Sequence, residues 1–138
     1  MGTTPPTSSS PALSLEPDRI AAPVTLPSLI VTFRATGYRV DIGPALGIYL
    51  NQRLPSSVAD VWVTDFDAIC KPTEGQWPRH ICTADYTAHY KLNGHPQFRR
   101  DVEIIEAGSA TDDKAAMIEQ ADLLALALAE QIVRNLGM

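Results

Sequence analysis

Two cysteines, Cys70 and Cys82, are the residues whose type and spacing most directly predict a covalent bond. Each lies in a stretch with the pattern of a β-strand, and a register that opposes them also sets Ala68 against Ala84. A non-hydrogen-bonded cross-strand pair brings the Cα atoms to about 4.5 Å, within disulfide range. The same register continues through three further pairs: Phe66 with Tyr86, Thr64 with Ala88 and Trp62 with Tyr90. We predict a disulfide, with two buried thiols as the alternative.

A second group of side chains is polar and suggests acid–base or metal chemistry. Asp65 and Asp67 are two apart on a strand, so they share a face, and Asp85 and His89 of the next strand would join them. A solvated sheet face with ordinary cross-strand charge pairs is the favoured interpretation. No CxxC or paired-histidine spacing supplies zinc ligands, and no P-loop, GxGxxG or GxSxG motif occurs. We expect no catalytic residue, metal or cofactor, and therefore no enzyme.

Two apolar features are typical of protein recognition. Trp77, with Glu74 beside it, lies in the loop that the predicted disulfide would close, and loop aromatics are favoured at binding hot spots. The alternative is that Trp77 folds back over its own core. Leu123, Leu126 and Val133 fall outside the main apolar stripe of the last helix, so they form a second candidate surface. We predict a protein partner for one of these surfaces.

The strands that position these residues are predicted over 58–70, 80–92 and 96–105, after a short strand near residue 29. Asn93-Gly94 usually marks a two-residue hairpin turn, but that register would mix apolar and polar residues on one face. A three-residue loop, 93–95, instead opposes Tyr90 to Phe98 and Ala84 to Ile104. We therefore expect an antiparallel sheet of three or four strands in an α+β fold. Two helices would cover the face formed by Trp62, Phe66, Tyr86, Tyr90 and Phe98.

The two helices are predicted from their terminal residues and their apolar periodicity. Pro44 suits a first helical position with Asp41 or Gly43 as cap, and Pro55 ends that helix after Leu54. Thr111 is the expected cap of the second helix. Its apolar stripe comprises Met117, Ile118, Ala121, Leu124, Ala125, Leu128, Ile132 and Leu136.

Length and composition limit the number and kind of domains that the chain can form. The chain has 138 residues, enough for one core. We expect residues 1–27, rich in Pro, Ser and Thr, to be a disordered tether and residues 28–138 to be a single α+β domain. A net charge of −5 argues against nucleic acid as a partner, because phosphates require a basic surface. No apolar run reaches the length of a membrane-spanning helix.

The predicted disulfide and the leader together indicate a compartment. A disulfide implies folding under oxidising conditions. The leader is typical of the segment that follows the lipidated cysteine of a bacterial lipoprotein, with Met1 at the position of that cysteine. We therefore expect a periplasmic protein that is anchored to the outer membrane and touches the membrane only through its lipid.

The chain resembles small lipoproteins of the Gram-negative envelope, especially the ABC-transport auxiliary and YajG-like groups. The resemblance covers residues 44–138 and rests on three segments: Val61-Trp-Val-Thr-Asp-Phe66, Tyr86-Thr-Ala-His-Tyr-Lys-Leu-Asn-Gly94 and Leu128-Ala-Glu-Gln-Ile-Val133. The chain departs from those groups in having Cys70 and Cys82. The resemblance implies a periplasm-facing accessory that scaffolds or modulates a membrane complex.

Three functional hypotheses follow from these observations. The first is a lipid-anchored envelope accessory that binds a protein partner in a transport or secretion complex. The second is a secreted inhibitor or immunity-type protein whose disulfide-pinned loop blocks an enzyme. The third is a hydrolase using Asp65, Asp67 and His89.

Overall fold

A computed structural model of the chain describes Leu26 and residues 28–136. The elements follow in the order β1 (Ile30–Phe33), β2 (Tyr38–Asp41), α1 (Gly43–Arg53), β3 (Val58–Pro72), β4 (Arg79–Leu92), β5 (His95–Ser109) and α2 (Lys114–Asn135). The predicted tether, residues 1–27, lies outside the described residues apart from Leu26, which packs against the core. No helix in the described ranges is long and apolar enough to cross a membrane.

The sheet has five strands in the order β2-β1-β3-β4-β5. The α+β class and the two helices are confirmed, but the expected antiparallel sheet of three or four strands is wrong. The sheet is mixed, because β1 runs parallel to β3, with Val31 opposite Ala68 and Phe33 opposite Cys70. Gly37, with φ +73°, permits the tight turn that returns the chain from β1 into β2.

One face of the sheet forms the hydrophobic core with both helices. Val63, Cys70, Cys82 and Tyr86 are buried on this face, which we call the helix face. His80 is the buried polar residue beside them, and its Nδ1 lies 2.6 Å from Gln120 Oε1 of α2. That hydrogen bond offsets the cost of burying the imidazole.

The helix ends differ slightly from the predicted ones. Helix α1 begins at Gly43, and the residue in the cap position is Ile42. The side chain of Asp41, one residue before the cap, accepts the backbone N–H of Gly43 at 2.9 Å. Helix α2 begins at Lys114 with Asp113 as cap, so the expectation of Thr111 as cap is wrong. Thr111 instead accepts the backbone N–H of Asp113 at 3.0 Å.

The predicted disulfide is confirmed. Cys70 and Cys82 lie directly opposite each other on β3 and β4, with Cα atoms 4.0 Å apart, and their sulfurs are bonded. Ala68 opposes Ala84, as the register requires. The bridge lies within the core, since neither cysteine is exposed.

Further from the disulfide than Ala68 and Ala84, the predicted register of β3 and β4 is wrong because β3 contains two β-bulges. Asp65 and Phe66 together oppose one residue of β4, and so do Asp60 and Val61. Both aspartates have φ of 53°, a left-handed conformation that aspartate tolerates better than most residues. Phe66 shares its predicted partner Tyr86 with Asp65. Counted from the disulfide, the bulge at Asp65 shifts the next partners by one position. Thr64 therefore pairs with Thr87 instead of Ala88, and Trp62 pairs with His89 instead of Tyr90.

The predicted hairpin of β4 and β5 is also wrong. Asn93 and Gly94, with φ of 52° and 82°, make a two-residue turn between Leu92 and His95. Phe98 therefore opposes His89, and not Tyr90. Because side chains alternate along a strand, this one-residue difference moves every side chain of β5 to the other face from the one predicted.

The consequence for the predicted core is direct. Of the five aromatic residues expected to form the face beneath the helices, Tyr86 is buried and Phe66 and Tyr90 are half-buried against the core. Trp62 and Phe98 lie on the opposite face and are exposed. Small and aliphatic side chains fill much of the space that the aromatic residues were expected to occupy.

Removal of the disulfide is expected to lower the free energy of unfolding by about 3 kcal/mol, because the bridge closes a short loop that is otherwise open in the unfolded chain. Urea denaturation of the wild type with and without reductant measures this change, and the Cys70→Ala, Cys82→Ala double variant serves as the control that reductant should not affect. Equal unfolding midpoints for the oxidised and reduced wild type would contradict a structural role for the bridge.

Candidate functional site

The sheet face opposite the helices, which we call the open face, is the candidate functional surface. The register of β3, β4 and β5 brings twelve side chains together at its centre: Trp62, Thr64, Asp67, Ile69, Thr83, Asp85, Thr87, His89, Phe98, Arg100, Val102 and Ile104. No described helix covers them, and several of the apolar ones are exposed. A soluble protein rarely leaves such a set uncovered without a reason.

Three rings from neighbouring strands stack across the open face, and we call them the aromatic stack. The rings of Trp62 and His89 are 4.9 Å apart and nearly parallel, at 4°. Phe98 follows on the other side of His89, with ring centroids 6.1 Å apart. His89 Nε2 also lies 2.8 Å from the hydroxyl oxygen of Thr64, which holds the imidazole in place. The rings are therefore pre-organised, with little side-chain freedom left for a partner to restrict.

An aliphatic strip continues from the aromatic stack along β5. Phe98 is 74% exposed, and Val102 and Ile104 are 49% and 62% exposed. All three point to the open face because they alternate with Arg99, Asp101 and Glu103 on the helix face. The strip and the stack together form one largely apolar surface that extends over β3, β4 and β5.

Charged groups border this surface. Arg100 donates to both carboxylate oxygens of Asp85, at 3.1 and 2.9 Å, in a two-point ion pair across β4 and β5. The guanidinium lowers the pKa of Asp85 from its ordinary value. Asp67 opposes Asp85 on β3, so Arg100 also relieves a like-charge pair on this face. The resulting surface has apolar and charged parts, as protein interfaces do.

Near its middle, the helix face of β5 carries polar side chains that lie close to α2, whereas Ile105 and Ala107 further along belong to the core. Asn135 donates to Asp101 at 2.7 Å, and Gln131 forms a short hydrogen bond with the hydroxyl of Tyr86. Burial raises the pKa of Tyr86 and of Glu103 on this face. These hydrogen bonds add to the apolar contacts of Leu128, Ala129 and Ile132 in holding the C-terminal half of α2 on the sheet.

The recognition residues predicted from sequence lie elsewhere on the molecule. Trp77 is 79% exposed in the loop between β3 and β4, and Glu74 is exposed in the same loop. On α2, Leu123 is exposed, whereas Leu126 and Val133 are half-buried, with Val133 packed against the core. Both surfaces stay predictions.

The polar cluster predicted on the sheet is only partly brought together. Asp67 and Asp85 face each other on the open face, but Asp65 lies in a bulge and His89 is engaged with Thr64 and Trp62. In the described part of the chain, no three His, Cys, Asp or Glu side chains are grouped so that they could hold a metal ion.

Sequence reasoning missed Trp62, Phe98, Val102 and Ile104 as surface residues. The signal that could have revealed three of them was Asn93-Gly94, because a two-residue turn alone places Phe98 and its apolar neighbours opposite the helices. The face of Trp62 depends on the bulge at Asp65, for which the sequence has no comparably strong signal.

Comparison with known proteins finds a weak likeness. A crystal structure of a minor lipoprotein from Acinetobacter baumannii is similar over 75% of this chain and 85% of that one, with 14% sequence identity and a TM-score of 0.39. No protein-family model matches the chain, and no curated protein matches it. The ABC-transport auxiliary and YajG-like assignments stay predictions.

The ion pair on the open face predicts the titration of Asp85. In Arg100→Gln the pKa of Asp85 should rise towards its ordinary value, because the hydrogen bonds and the positive charge that favour the carboxylate are lost. Carboxyl carbon shifts followed by NMR measure this pKa. Arg79→Gln, which removes the more distant pair of Arg79 with Glu106, is the control and should leave Asp85 unchanged.

The same shift has a consequence for stability. A pKa that is lower in the folded than in the unfolded chain gives a contribution that is present above the unfolded value and is lost as the pH falls through the folded value. Any difference in unfolding free energy between the wild type and Arg100→Gln should therefore vanish in acid. A difference that grows on acidification would contradict this assignment of the ion pair.

Proposed function

We propose that this chain is a non-catalytic binding protein of the bacterial envelope that holds a protein partner against its open face. The observation that carries the proposal is the aromatic stack of Trp62, His89 and Phe98, continued by the exposed strip along β5. Aromatic residues are enriched at the centres of protein interfaces, where they supply large apolar contact areas at low entropic cost.

The character of the open face favours a protein partner over a small molecule. The surface is spread over three strands, and no element in the described part of the chain encloses it. Small ligands, in contrast, favour concave sites that bury most of their surface. The ion pair of Arg100 and Asp85 lies beside the strip and offers a charged group of each sign to a partner. A broad apolar surface with adjoining charges suits a folded protein.

The polar side chains of the open face support binding without catalysis. His89 is stacked on Trp62 and bonded to Thr64, and Asp85 is held by Arg100. Groups that are engaged in this way serve to fix the surface. A general base, in contrast, needs a lone pair directed at a substrate.

The proposed location in the periplasm is supported by the disulfide. Cys70 and Cys82 are bonded within the core, and disulfides persist in oxidising compartments such as the periplasm. We propose, in line with the sequence resemblance, that the protein is a lipid-anchored accessory of a transport or secretion complex.

Site-specific photocrosslinking in native cells tests the proposed surface. A benzophenone amino acid in place of Phe98 or Ile104 should crosslink to a discrete protein, because both side chains lie on the open face. The same group in place of Glu119 or Glu130, which are exposed on α2, is the matched control. Crosslinks of the same partner from α2 and not from the open face would overturn the proposal.

Alanine variants give the affinity. Trp62→Ala and Phe98→Ala should each reduce binding of the crosslinked partner by about ten-fold or more, as expected for the loss of a hot-spot side chain. Because Phe98 is largely exposed, its replacement should change the unfolding free energy by only about 0.5 kcal/mol. Isothermal titration and urea denaturation separate the two effects. Unchanged affinity in both variants would exclude the aromatic stack as the binding surface.

A second candidate function rests on the loop between β3 and β4. Trp77 protrudes from a loop whose base is fixed by the disulfide, which is a suitable arrangement for an inhibitor that blocks an enzyme. In that case Trp77→Ala would abolish formation of the complex, while Trp62→Ala and Phe98→Ala would leave it intact. The three variants therefore distinguish the two functions.

A further inference from the structure

The outer edge of β5 is a long strand edge that has no neighbouring strand among the described residues. Strand β5 extends over 15 residues at the end of the sheet, whereas β2 at the other end has only 4. Proteins usually protect such edges with short strands, charged side chains (lysine above all), prolines or bulges. The charged residues of β5 are arginine, aspartate and glutamate, and their two signs are grouped along the strand. Between Gln97 and Glu106, β5 contains no proline or lysine, and its pairing with β4 is regular.

The hydrogen-bonding pattern shows which backbone groups point outwards. The Cys70 carbonyl accepts from Arg34 N–H at 2.9 Å and so points towards β1, away from its partner Cys82. In an antiparallel sheet such pairs alternate, so Cys82 and every second residue of β4 point towards β5. The residues of β5 opposite these are odd-numbered, and the even-numbered ones therefore point outwards: Phe98, Arg100, Val102 and Ile104.

A side-chain contact agrees with this assignment. Gln131 of α2 donates to the Val102 carbonyl at 3.1 Å. Among the described residues no other group bonds to the outward backbone groups of these four positions. The Val102 carbonyl can accept a second bond, because it has two lone pairs. The outer edge is therefore ready to pair with another strand.

The charges along β5 specify which strand would fit. Positive residues, Arg99 and Arg100, precede negative ones, Asp101, Glu103 and Glu106. When such a strand pairs antiparallel with a copy of itself, opposite charges meet. Centred on Arg100, the pairing sets Arg99 against Asp101 of the copy on the helix face. Arg99 already pairs with Asp101 of its own chain at 3.0 Å, so the four charges of the two copies alternate in one cluster. On the open face the pairing sets Phe98 against Val102 of the copy.

We propose that this chain forms a two-fold symmetric dimer in which β5 pairs antiparallel with β5 of a second copy, centred on Arg100. The two sheets become continuous, because the outward-pointing backbone N–H and C=O groups of each β5 strand form hydrogen bonds with those of the other β5 strand. The two central arginines are each neutralised by Asp85 of their own chain. Apolar contacts of Phe98 with Val102 occur twice, as do the ion pairs of Arg99 with Asp101. The dimer goes beyond the proposed function and does not rest on it.

Charge reversal with rescue tests the dimer. Arg99→Asp and Asp101→Arg should each weaken dimerisation of the full chain by about ten-fold or more, since like charges then face each other at two positions. An equimolar mixture of the two variants should form a heterodimer, because every pair is again of opposite charge. Analytical ultracentrifugation measures the association, and Arg39→Asp on β2 is the control that should dimerise like the wild type.

Disulfide crosslinking between two copies tests the dimer even if a charge variant folds poorly. In the proposed register Arg100 lies opposite Arg100 of the copy, so Arg100→Cys should form an intermolecular disulfide on mild oxidation, whereas Arg39→Cys should not. A wild type that is monomeric at all concentrations, or an Arg100→Cys variant that does not crosslink, would overturn the dimer. Partner binding at the open face is measured separately with Trp62→Ala, so failure of one proposal does not imply failure of the other.

Discussion

The two-residue turn at Asn93 and Gly94 is the constraint on which the rest of the sheet depends. Both residues have positive φ, which asparagine and glycine adopt more readily than other residues, and the turn fixes Leu92 opposite His95. Because strand side chains alternate, this one choice decides the face of every residue in β5. Arg99, Asp101 and Glu103 turn towards the helix face, and Phe98, Val102 and Ile104 form the apolar surface of the open face.

The bulges of β3 and the disulfide set the register of the central strands, β3 and β4. Asp60 and Asp65 absorb one extra residue each, which places Val63 in the core and Trp62 beside His89. The disulfide fixes the register of β3 and β4 at their other end, next to the parallel strand β1. Strand β3 therefore contributes Val63 to the core beneath the helices and Trp62 to the aromatic stack on the open face.

Sequence reasoning reached the features with strong local or paired signals. The helices follow from apolar periodicity and terminal residues, and the disulfide follows from two cysteines in a register that also pairs Ala68 with Ala84. The open face was missed because a single apolar sheet face was assumed, and the turn residues were set aside to preserve it. Aspartate bulges have little sequence signature, and the parallel pairing of β1 is a long-range contact that no local pattern encodes. The candidate site depends on these features, so it emerged only from the structure.

The position of Phe98 relative to β4 tests this arrangement most directly. His89 and Phe98 form a non-hydrogen-bonded pair, whose Cα atoms in an antiparallel sheet lie only about 4.5 Å apart. Solution NMR should therefore show a strong nuclear Overhauser effect between the Hα protons of His89 and Phe98. The same effect between Tyr90 and Phe98 would mean a three-residue turn, an apolar surface directed into the core and no aromatic stack on the open face.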